Sequence, residues 1–138
     1  MIADFLDAHM RHWDDAELLF NATRWANADH LYGLAAECGL KRLMIAFDMD
    51  IDATGSPSSK SDRFHADRAW LRYESYRSGH HDGVNYPLPT IDPFMDWHVN
   101  QRYEHQANFT QEIAEAHRIG ARIVHDLVTK AILEGIVS

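Results

Sequence analysis

Histidine is the residue this sequence supplies most freely for chemistry: ten of its 138 residues are His. Imidazole ligates metals and moves protons near neutral pH. Carboxylate-bridged di-metal bundles place Glu and His three apart on one helix, and no glutamate of this chain has a His three positions later. Looser sets remain in His9 with His12, Asp62 with His65, and the run His80-His81-Asp82. A His-rich metal-binding bundle is therefore an alternative, but solvent-facing histidines account for the same spacings, and neither metal nor cofactor is assigned. Cys38 stands alone in an apolar stretch, where thiols are inert packing groups, and no GxSxG, GxGxxG or GxxxxGK[ST] pattern occurs.

The strongest polar constellation is Trp97-His98-Val99-Asn100-Gln101-Arg102-Tyr103-Glu104-His105. On a helix, His98 and Arg102 stand one turn apart with His105 a further turn along, so a guanidinium and two imidazoles share a face. Arg102 then binds a phosphate through its fork while a His moves a proton. Trp97 and Tyr103 join Arg102 as ligand contacts, and His98, Arg102 and His105 are the catalytic candidates. The competing reading is a surface helix end with Arg102 paired to Glu104 or Asp96. A second polar set, Glu115, Arg118, Arg122 and His125, falls at steps of three and four, the spacing of a salt-bridged face.

These residues need helices to position them. Leu6, Met10, Trp13, Ala16 and Phe20 predict a helix over about 3–24. Asn27 reads as the N-cap of a second helix to about Phe47, apolar or small on nearly every face and therefore central. Gly33 and Gly39 within it predict close approach of a neighbouring helix backbone. The stretch 48–60 is a loop, and a third helix is expected from Ser61 to Arg77. After an irregular connection, Asp92-Pro93 opens a short helix over 93–105. Thr110 caps the last helix, which buries Ile113, Ala116, Gly120, Val124, Leu127 and Ala131 and stops at Gly135. The expectation is one all-α domain over 1–138, an antiparallel four- to five-helix bundle.

Composition narrows the function. The 46% hydrophobic content is that of a folded domain, and one cysteine excludes an internal disulfide and a cysteine-based zinc site. With no signal-peptide pattern and no segment of about 20 apolar residues, a cytoplasmic protein without membrane contact is expected. A net charge of -8 opposes non-specific binding to long nucleic acids, although ten of the thirteen basic residues are Arg, the residue suited to fixed bidentate contacts.

The run ADHLYGLAAECGLKRL, Ala28 to Leu43, resembles a helix of HEPN-domain proteins, with its small residues, Ala-Glu and then Leu-Lys. Arg102-Tyr103 followed by a Thr-capped, Ala-rich helix is similar to that family's later region. The resemblance implies a HEPN-like bundle that dimerises, found in RNA-cleaving toxins and defence proteins and beside nucleotidyltransferase-type partners. It also implies metal-independent cleavage through Arg, four to six residues, then His. This chain departs from that pattern: positions five to seven beyond Arg102 are Ala107, Asn108 and Phe109, and His105 is only three away. The spacings Arg24 to His30 and Arg118 to His125 match, but elsewhere in the chain. The expected function is a nucleotide- or RNA-related, or protein-partner, binding module acting as a homodimer. A ribonuclease using Arg102 with His98 or His105 is the alternative.

Overall fold

The computed structural model describes all 138 residues as four α-helices with short 3-10 turns between them. Helix α1 spans Phe5–Asn21 and begins where Asp4 accepts a hydrogen bond from the Asp7 amide at 3.0 Å. Its inner face is His9, Trp13, Ala16 and Phe20. Trp13, Ala16 and Phe20 match the predicted stripe, but Met10 turns outward and a histidine takes the buried position.

Helix α2, Trp25–Ala46, starts two residues before the expected cap at Asn27. Thr23, at φ 61, reverses the chain so sharply after α1 that the second helix resumes at once, leaving Asn27 exposed in its first turn. The prediction that this helix is central holds. It packs on α1, on α3 (Ala66–Arg77) and on α4 (Gln111–Leu133), whereas α1 and α4 meet only lightly. Ala28, Tyr32, Ala35, Ala36, Leu40, Leu43 and Met44 are buried along it, as is the free thiol of Cys38. Burial pushes that thiol up to about 12. Gly33 and Gly39 do mark close approach, of side chains rather than of a helix backbone. A Cβ on Gly33 would lie 2.0 Å from the Trp97 indole, and one on Gly39 would lie 2.6 Å from Val124 and 2.7 Å from His9.

Two predicted helices are corrected. The third begins at Ala66 rather than Ser61, because the 3-10 turn Lys60–Asp62 folds back and buries Asp62 against α3, where it accepts from Arg72 Nε at 2.7 Å and Tyr76 Oη at 2.6 Å. The helix expected over 93–105 is absent. In its place stand 3-10 turns at Val99–Tyr103 and Gln106–Asn108, because His98 Nδ1 and His105 Nδ1 each accept a backbone N–H two residues on, from Asn100 at 3.1 Å and Ala107 at 3.0 Å. In α4, Thr110 caps as expected and Gly135 ends the run at φ 75. Gly120, Val124 and Ala131 are buried as predicted, but Ala114, His117, Ala121 and Val128 complete the inner face, while Ile113 and Ala116 are exposed. No helix is long and apolar enough to cross a membrane.

Candidate functional site

Because 97–105 is not one helix, its polar residues do not share a face. His98 is occupied as a turn cap and stands apart from the other two candidates. Arg102 and His105 both line a cleft of about 540 Å3 at the start of α2. Trp97 is only 1% exposed, so the expected ligand contact is corrected to an anchor: its indole fills the space over Gly33 and donates to the Asp29 carbonyl at 3.2 Å. Tyr103 is exposed beneath the Arg102 guanidinium, 4.6 Å from its ring centroid, and is not part of the cleft wall.

The cleft wall carries Arg24, Arg102, His105 and one acid. Thr23 holds a left-handed conformation that β-branched residues rarely adopt, and this places Arg24 and the first turn of α2 in the wall. No side chain caps α2, so the amides of Trp25, Ala26 and Asn27 have no partner within the protein. Neither Arg24 nor Arg102 has a carboxylate partner, in a chain that carries 21 acids. His105 accepts at Nδ1 and so carries its ring proton at Nε2. The one acid of the wall, Glu104, accepts from Asn108 Nδ2 at 3.1 Å.

A buried polar clamp holds the cleft's outer wall to the core. Asp29, fully buried on α2, accepts from His117 Nδ1 at 2.5 Å and from Gln101 Nε2 at 2.5 Å. The other nitrogen of His117 donates to Asp96 at 2.8 Å, and Phe94 stacks on the ring. Burial opposes charge on His117, but the two carboxylates outweigh it and hold its pKa above the ordinary 6.5. The imidazolium has two N–H groups for two carboxylates; a neutral ring has one. Asp29, His117 and Gln101 were missed in the sequence. The available signal was an acid, Asp29, in the largely apolar helix that also holds Glu37.

A second histidine pair joins α1 to α4. His9 Nδ1 donates to the Ala35 carbonyl at 2.7 Å, and His9 Nε2 meets His125 Nδ1 at 3.0 Å. Burial lowers His9 to about 4, so the ring is neutral, its Nε2 accepts, and His125 must donate. Beside it, the predicted salt-bridged face on α4 forms only at Arg118, which grips Glu17 at 2.8 and 3.0 Å and Glu115 at 3.3 Å, while Tyr32 also donates to Glu17; Arg122 lies over the Trp13 ring instead.

The metal sets do not assemble alike. Asp62 is engaged by Arg72 and Tyr76 rather than directed at His65, and His9 is committed to Ala35 and His125. His80, His81 and Asp82 bring one ligand atom each within 4.8 Å of one another. However, His80 Nδ1 accepts the Asp82 amide and its Nε2 faces Asp48 at 3.3 Å, so both nitrogens already have partners.

No family model, no curated protein and no solved structure matches this chain. Its class, an all-helical bundle, is set by the fold itself.

Proposed function

We propose that this protein is a binding module for a phosphate-bearing ligand, a nucleotide or the end of an RNA strand, received in the cleft between Arg24 and Arg102. The observation that carries the reading is the pair of guanidiniums without carboxylate partners beside the uncapped first turn of α2. Arginine forks, free helix amides and the His105 N–H are the donors that phosphate oxygens accept from. The net charge of -8 favours a small ligand over a long polyanion, since the wider field repels one. The dimer implied by the HEPN resemblance belongs to the same proposal, and sedimentation velocity tests it as a species of twice 15.9 kDa.

Calorimetry with inorganic phosphate, a nucleoside monophosphate and a short RNA tests the binding. Each charge-assisted contact is worth roughly 1.5–3 kcal/mol, so Arg102→Ala weakens binding about tenfold or more, and added salt weakens it further. Equal affinity in the wild type and an Arg24→Ala/Arg102→Ala double variant defeats the proposal. A second reading, metal-independent RNA cleavage, draws on Arg102 and His105 lining the same cleft. Cleavage in the presence of a chelator, lost in Arg102→Ala, supports it; inactivity of both proteins removes it and leaves binding.

A further inference from the structure

Between Trp25 and Lys41, α2 rises roughly 24 Å, and at Lys41 lies a second concavity, of about 490 Å3. Lys41 is nearly buried, at 7% exposure. Its ammonium makes one hydrogen bond, to Glu37 Oε2 at 3.1 Å, and no other protein acceptor meets it. An ammonium carries three donors, so two are uncommitted in a place where water is largely excluded. Nζ lies 5.5 Å from the Phe5 ring centroid and 6.0 Å from that of Phe64. Those rings, with Ala3 and Pro57, make the apolar part of the wall.

The cation is held in place from behind. Glu37 binds Lys41 with one carboxylate oxygen and takes His65 Nδ1 at 2.9 Å with the other, so lysine and imidazole are oriented by a single buried group. Arg63 stands at the rim, bonded to the Pro57 carbonyl at 2.7 Å and paired with Asp52 at 3.5 Å, so the rim adds no net charge.

We infer that this cavity binds a small monocarboxylate with an apolar body, such as an aromatic acid. Its two oxygens take the uncommitted Lys41 donors, and its ring lies against Phe5 and Phe64. A monocarboxylate adds one negative charge beside the Lys41–Glu37 pair, whereas a phosphate dianion adds two against the same apolar walls. The site is separate from the phosphate cleft and stands whether or not that cleft binds.

Protein-observed NMR and calorimetry on the full chain test the inference with benzoate, benzamide and inorganic phosphate. Benzoate is expected to shift the amides of Phe5, Thr54, Ser56 and Phe64, with benzamide, its neutral isostere, at least tenfold weaker. Lys41→Met should abolish the response, but it leaves Glu37 buried without its cation and endangers folding. Phe64→Ala, at a partly buried position, therefore serves as the second variant and should weaken benzoate severalfold. The inference is overturned by no benzoate response at millimolar concentration, by shifts confined to other regions, by equal affinity for benzamide, or by phosphate acting on these residues as strongly as benzoate.

Discussion

His9 and His117 are both buried imidazoles, and their surroundings give them different protonation states. Burial keeps His9 neutral against the pull of the Ala35 carbonyl; His117 faces two carboxylates, which outweigh its burial and keep it cationic. Their effects on stability run in opposite directions. With a folded pKa of about 4 against an ordinary 6.5, His9 binds its proton more readily when unfolded, so the protein loses stability as pH falls from about 6.5 towards 4, by on the order of 3 kcal/mol. His117 binds its proton more readily when folded. Its contribution is whole below about pH 6.5 and is lost as pH rises through its raised folded value. Asp29, Asp96 and the more distant Asp92 are the acids that face it. Urea unfolding between pH 4 and 9 should show stability falling on both sides of neutrality. His9→Gln should flatten the acid limb and His117→Gln the alkaline one, and if both limbs persist in both variants the assignment is wrong.

At the scale of elements, the contact between Gly33 and Trp97 couples the central helix to the cleft wall. Gly33→Ala puts a methyl into the indole, and overpacking of this kind costs about 1–3 kcal/mol. Because Trp97 and Gln101 leave together, the same substitution should also weaken phosphate binding in the cleft. Gly79→Ala is the control, since nothing lies within 4 Å of the added atom there. Thermal melts and calorimetry on the two variants separate the effects. The elements themselves were readable where period and cap agreed. Trp13, Ala16 and Phe20 mark α1, the apolar run marks α2, and Thr110 with Gly135 brackets α4. Arg102 and His105 were readable as site residues by type alone. The segment between them was not, because His98 and His105 bind their own backbone, and a side chain that competes with the helix ladder leaves no trace in hydrophobic periodicity. The predicted stripes of α1 and α4 each lacked a histidine: His9 and His117 are polar by type but fully hydrogen-bonded, and so fit the interior.

Across the whole molecule, charge is unevenly shared. Five of the ten arginines are paired with acids, as Arg118 is with Glu17, and the two of the cleft are among the five that are not. An acidic body with a local cationic opening admits a small anion and repels a large one. This ordering is testable: affinity per phosphate should fall as RNA length increases at low salt, and the difference should shrink as salt screens the body. A rise in affinity with length would point to a wider basic surface than the fold presents.

The one sulfhydryl of the protein sits on its central helix and is buried there. At neutral pH burial holds this thiol protonated, so alkylation is expected to quicken when α2 loosens from its neighbours. The chain therefore carries its own clock: the rate of labelling at Cys38, read by mass spectrometry without any engineered probe, counts how often the centre of the bundle opens. Ligands that hold the wall shut should slow it.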